Sequence, residues 1–261
     1  MPGIETRRVS WLEERVRSDG DVRLIPYLMA GYPDVPGSIA QGLAYARAGA
    51  AAIEIGIPFS DPLADGPAVQ RAGQTSLEGG MTVRRALDVA AAVAEGGAPV
   101  VLMTYVNPVL AYDERRFAAD AAAAGVAGVI VPDLPAEEAE PLAGRLRETG
   151  LDVVFLVAPT SPDSRIASAA ERSSGFIYCV TVKGVTGART ELATGLEGLL
   201  ARVRGATDLP VAAGFGISRP EHIRTLRGHA DAAVVASALL ELIHRGEDPV
   251  PLVEELLVAC R

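Results

Sequence analysis

Glu54 is the carboxylate whose surroundings are hardest to explain without chemistry. It stands in the run Ala51-Ala52-Ile53-Glu54-Ile55-Gly56-Ile57. Period-two alternation puts Ile53, Ile55 and Ile57 on one strand face and Ala52, Glu54 and Gly56 on the other. A lone carboxylate on such an apolar face is costly unless it is paired, hydrogen-bonded or protonated. It reads either as a structural glutamate satisfied by backbone groups or as a general acid/base lifted toward neutrality by desolvation. The segment that follows, residues 56–67, is too long and too rich in proline for a minimal strand-to-helix turn. Pro58, Pro62 and Pro67 limit its entropy, so it can present Asp61 and Asp65 at low ordering cost. Either aspartate reads equally well as a turn residue before proline or glycine, and spacing leaves that choice open.

Three stretches could hold an anion by backbone N–H groups. Two are Gly184-Val185-Thr186-Gly187 and Gly214-Phe215-Gly216-Ile217-Ser218; the third, Val235-Ala236-Ser237, opens the last helical region without a glycine of its own. Main-chain dipoles need no basic side chain, which suits a chain with a formal net charge of -9. Any one of these glycines is as readily a strand terminator. No metal is expected, because His222, His229 and His244 lack ligand-like neighbours and read as residues of solvated helix faces. Cys179 and Cys260 have neither disulfide-framework nor metal-site spacing, and Cys179 sits in an apolar run as a small core residue.

The elements that must position these groups alternate along the chain. Strands are expected at residues 24–29, 51–55, 100–105, 128–131, 153–157, 175–181, 211–213 and 232–235. Amphipathic helices fit residues 83–94, 114–124, 136–148, 162–172 and 251–259. Asp34, Thr82, Asp113, Ser161 and Ser218 each precede a helical run as a cap. An extra N-terminal helix carries Val9, Leu12 and Val16 on one stripe. Eight strands, each followed by a helix, predict an α/β fold, a single (β/α)8 TIM barrel over residues 1–261. An open doubly wound sheet is the alternative, weakened because no Gly-x-Gly-x-x-Gly follows the first strand. The 261 residues are 49% hydrophobic but only 5% aromatic, so the core must be aliphatic. The acidic balance argues against nucleic acid and anionic membranes as partners. Residues 1–21 are charged throughout, unlike a signal peptide, and the longest apolar stretch, 232–243, is too short to span a membrane. A soluble, cytoplasmic protein is expected.

The run "IEIGIPFSDPLADGP" resembles the signature of the tryptophan synthase α chain family. Supporting segments follow in the family's order: "IPYLMAGYPD", "VLMTYVNPV", "VPDLPAEE", "GVTGAR" and "AAGFGIS". The resemblance implies a lyase that cleaves indole-3-glycerol phosphate by retro-aldol chemistry, with Glu54 and Asp65 as catalytic carboxylates. It implies an indole pocket of Tyr27, Met103, Leu156 and Phe215, with Tyr178 turned inward and Thr186 locking Asp65 on closure. Phosphate would be held by the backbone of Gly187, Phe215, Gly216, Ala236 and Ser237. Where the family usually has Gly-Ser, this chain has Ala236-Ser237, which matters only if that backbone needs positive φ. No cofactor is implied for this chain. Pyridoxal phosphate belongs to the separate β subunit, the expected partner in a heterotetramer of two α and two β chains. Two other readings stay open: another phosphate-binding barrel, such as a sugar-phosphate isomerase, and a subunit that only activates its partner.

Overall fold

The computed structural model describes residues 9–180, 194–214 and 216–261. Among these residues nine strand segments form one all-parallel sheet: β1 Arg23–Met29, β2 Ile53–Gly56, β3 Val100–Met103, β4 Val126–Ile130, β5 Asp152–Val154, β6 Leu156–Val157, β7 Ile177–Val180, β8 Val211–Gly214 and β9 Ala232–Val235. Their order is β5-β4-β3-β2-β1-β9-β8-β7-β6. The two ends of that order, β5 and β6, are halves of one strand separated only by Phe155. The seam is stitched: Tyr178 N–H donates to Phe155 O at 3.1 Å, and the hydroxyls of Ser173 and Ser174 accept from Phe155 and Val153 N–H at 3.3 and 3.0 Å. The ring is therefore the expected eight-stranded barrel, with the fifth strand broken once.

Alternation sorts the aliphatic residues into two cores. Ile53, Ile55, Leu102, Val129 and Ile177 face the helices. Ile25, Ala52, Val101, Ile130, Val154, Phe176 and Val234 fill the interior. The N-terminal helix, Trp11–Val16, closes the lower end with Leu12 and Val16, each worth about 2 kcal/mol of burial. Its seat requires two positions without side chains, Gly128 in β4 and Gly175 just before β7. A Cβ on Gly128 or Gly175 would fall 2.9 or 2.8 Å from Leu12 Cδ2. Val9, expected on the same stripe, is 44% exposed, because the helix begins only after Ser10.

Several element boundaries differ from expectation. β2 begins at Ile53 and β3 ends at Met103. The helix expected from residue 136 starts at Glu140, since Pro141 has no N–H to give an interior helical bond and is tolerated only in the first turn. Asp34, Thr82 and Asp113 cap as expected, but Ser161 and Ser218 do not. Ser161 Oγ accepts from Ala158 N–H within its own turn, and the helix after Ser218 starts two residues on, at Pro220. That helix ends at Arg224, which leaves His229 in a turn instead of on a helix face. Among the described residues, no helix is long and apolar enough to cross a membrane.

Candidate active site

Parallel strands all end at one mouth of a barrel, and the strand-to-helix loops gather there. Glu54 projects from the inner face of β2, in register with Tyr27 on β1 and Val101 on β3. It is 1% exposed, and its Oε2 has no hydrogen-bond partner among the described residues. Burial, and then the charge of Asp65, push its pKa up from 4.5 to about 8. At neutral pH this side chain is mainly a carboxylic acid, with a proton to give.

Asp65 comes from the loop after β2 and is half-buried. Burial raises its pKa to about 6, against the lowering effect of a hydrogen bond from Tyr105. At neutral pH it is therefore mainly ionised. The loop is held by short-range and cross-loop contacts. Asp65 N–H donates to Pro62 O at 3.2 Å, and Gln70 Nε2 reaches the carbonyls of Pro62 and Asp65 at 3.3 and 3.0 Å. Tyr105 Oη accepts from Ala64 N–H at 3.0 Å, and its ring packs 5.3 Å from that of Phe59. Asp61 is exposed and, among the described residues, takes only the neighbouring Ser60 hydroxyl at 2.5 Å, so it is the turn residue of the two aspartates.

Two tyrosines complete the interior. The phenol of Tyr27 is shifted upward by burial, then by Asp65 and Glu54; that of Tyr178 by burial, then by Glu54 and Asp65. Both lie over glycines: a Cβ on Gly56 would sit 1.9 Å from Tyr27 Oη, and one on Gly214 would sit 2.8 Å from Tyr178 Oη. Met103 lines the same cleft as Tyr27 and Asp65, and Leu156 pairs in register with Tyr178. The structure thus brings together Glu54, Asp65, Tyr27, Met103, Tyr178 and Leu156. Tyr105 is the site residue that the sequence reading missed, although the strand expected over 100–105 ends on it, at the same mouth.

At the other side of the mouth, Gly216 has φ +75°, a left-handed turn that suits glycine. Ala236 is the N-cap residue of the helix Ser237–His244, and no side chain caps that end. Its φ is -119°, so the extra Cβ meets no left-handed demand; Leu239 N–H turns back to Ala236 O at 3.1 Å, which leaves the N–H groups of Ser237 and Ala238 at the open end. Thr186, Gly187 and Phe215 lie outside the described residues. Among the described residues no cluster of three or more His, Cys, Asp or Glu could hold a metal ion. His222 Nδ1 instead accepts from Ser218 N–H at 3.3 Å, and burial pushes the Cys179 thiol up to about 12.

A parallel barrel with two carboxyls of raised pKa at its upper mouth has the architecture of a (β/α)8-barrel enzyme. The family model "Tryptophan synthase alpha chain" matches residues 14–261, and the chain belongs to that family. The tryptophan synthase alpha chain of Roseiflexus castenholzii is 49% identical over 89% of this chain and 91% of its own length. That of Gluconacetobacter diazotrophicus is 52% identical over 86% and 83%. Mycobacterium tuberculosis tryptophan synthase superposes with a TM-score of 0.90 at 38% identity, covering 97% of this chain and 99% of that one. A tryptophan synthase complex from Pyrococcus furiosus gives 0.84 at 38% identity, over 93% and 99%.

Proposed function

We propose that the chain cleaves indole-3-glycerol phosphate to indole and glyceraldehyde 3-phosphate, with Glu54 as the proton-transfer group and Asp65 as the electrostatic partner. The observation that carries this reading is the buried carboxyl of Glu54, whose Oε2 has no hydrogen-bond partner among the described residues, with the half-buried Asp65 as the neighbouring charge. Breaking the bond from indole C3 to the side chain needs an electron sink. Glu54 gives its proton to C3, turning the ring into an iminium. The Asp65 carboxylate accepts a hydrogen bond from the ring N–H and stabilises the positive charge. Glu54, now ionised, takes the proton of the adjacent side-chain hydroxyl. The O–H electron pair becomes the aldehyde C=O, the C–C pair returns to the ring, and Glu54 ends protonated as it began.

Tyr27, Met103 and Leu156 supply an apolar slot for the ring, with Tyr178 beside Glu54 and Phe215 as a further wall. Phosphate lies on the backbone of Gly187, Phe215, Gly216, Ala236 and Ser237, and Thr186 meets Asp65 on loop closure. The chain acts as one domain, residues 1–261, in the cytoplasm. It needs no cofactor of its own and passes indole to a β subunit that carries pyridoxal phosphate, two copies of each chain assembling together. The test is Glu54→Gln in single-turnover cleavage: the rate falls at least ~100-fold with the fold intact. A folded variant with near-normal turnover overturns the assignment, and a wild-type chain inert alone and with β subunit makes it an activator only.

A further inference from the structure

Loops from three successive strands meet above Asp65, and one exposed aspartate starts the chain of contacts. Asp133, in the loop after β4, accepts from Val106 N–H at 2.9 Å through Oδ1. Val106 is the first residue of the helix Val106–Tyr112, and Tyr105 at its N-cap position offers no side-chain cap. Asp133 therefore does the capping from a neighbouring loop, and its charge also suits the positive helix end. The capped turn sets the backbone of Tyr105 at φ -82° and ψ 160°. From there the Tyr105 hydroxyl holds Ala64 N–H at 3.0 Å, and the ring lies against Phe59 on the other limb of the loop. The loop after β2 is thus gripped at both limbs by one side chain whose own support comes from the loop after β4.

We propose that Asp133 is a positioning residue for the reaction, acting through Tyr105 to set the Asp65 carboxylate; this rests on the reading of Asp65 given above. The sequence of contacts has a direction. Among the described residues Asp133 touches none of the site's reacting groups, whereas Tyr105 lines the same cleft as Asp65 and hydrogen-bonds its carboxyl. The other ionisable groups facing Asp65 are Glu54 on β2, Tyr27 on β1 and Tyr178 on β7, none of which contacts Asp133 among the described residues. Loss of the cap frees the first turn of a seven-residue helix, so Tyr105 no longer holds one position and Asp65 loses a donor.

The experiment compares Asp133→Ala, Asp133→Asn, Tyr105→Phe and the Asp133→Ala/Tyr105→Phe pair. Cleavage of indole-3-glycerol phosphate is followed with the β subunit present, and each Asp65 titration is read by carbon-13 NMR of labelled aspartate, its signal identified with Asp65→Asn. Asp133→Ala lowers kcat about 5–10-fold with KM nearly unchanged, the size expected for one lost cap. The Asp65 titration and the acid limb of the kcat profile move up together in Asp133→Ala and Tyr105→Phe, because a donor to the ionised form is lost. Asparagine caps as well as aspartate, so Asp133→Asn restores both readouts. In the Tyr105→Phe background, Asp133→Ala adds little. An Asp133→Ala protein with unchanged kcat and unchanged Asp65 titration overturns the proposal, as does full additivity of the pair. If the titration moves while kcat does not, the positioning holds and the catalytic reading of Asp65 is what fails.

Discussion

Replacing Glu54 with glutamine should stabilise the fold, by an amount that grows with pH. The carboxyl has a pKa of about 8 in the folded chain, against 4.5 as the ordinary value. Between those two pH values the folded state holds a proton that the unfolded state has released. Unfolding therefore becomes easier as pH rises through that window, the reverse of the usual case of a salt-bridged carboxylate. At 1.36 kcal/mol per unit, the Glu54 contribution to destabilisation is under about 1 kcal/mol at pH 5 and about 3 kcal/mol at pH 7. Glutamine does not titrate, so the variant's advantage should widen by about 2–3 kcal/mol from pH 5 to pH 7 and level off above about pH 8. Any fixed cost of an unpaired amide in the barrel cancels in that comparison. Asp65, also raised, titrates in both proteins and largely cancels too. The assay is urea unfolding of both proteins at half-unit pH steps, with the difference in free energy plotted against pH. A difference that stays flat would mean that Glu54 is ionised in the folded chain and is balanced by a group unaccounted for here, and the acid role would go with it.

Three other outcomes follow from the same geometry. Asp65→Asn should lower kcat by about tenfold or more with KM little changed, since the charge it loses matters only once the ring is protonated; a loss confined to KM would reduce Asp65 to substrate positioning. Leu12→Ala should cost about 2–4 kcal/mol in urea unfolding, because Gly128 and Gly175 beside it cannot fill the space; a loss under about 1 kcal/mol would mean the lower end relaxes freely. An indole propanol phosphate analogue should still bind after Lys183→Ala or Arg189→Ala made singly, as calorimetry would record, and collapse in either variant would replace backbone dipoles with a side-chain cation.

What could be read in the chain was whatever repeats locally. The alternation across residues 51–57 placed Glu54 inside, and Asp34, Thr82 and Asp113 announced their helices one residue ahead. Ser161 did not, because a serine in a turn can spend its oxygen on its own loop, here on Ala158 N–H. Spacing also left Asp61 and Asp65 equivalent; burial separates them, and burial depends on contacts distant in sequence. Tyr105 shows the same limit. Its apolar neighbours extend the strand pattern through residue 105, yet the strand stops at Met103, and the hydroxyl's partner lies 41 positions earlier. A local reading has no access to such a pairing.

The lower closure has a consequence for the order in which the protein can be made. The helix Trp11–Val16 leaves the ribosome before any strand of the barrel, yet its seat is assembled from much later chain. Ser10 Oγ donates to Asp152 at 2.5 Å, Arg17 reaches the Asp208 carbonyl at 2.9 Å, and Ser18 N–H donates to Asp231 at 3.3 Å. The ring itself joins β1 to β9, so neither barrel nor seat exists until residue 235 has emerged. A six-residue helix is not stable alone in water. For almost the whole of synthesis, Leu12 and Val16 must wait as exposed apolar residues, and a nascent chain stalled before β9 will present them to any chaperone or protease at hand.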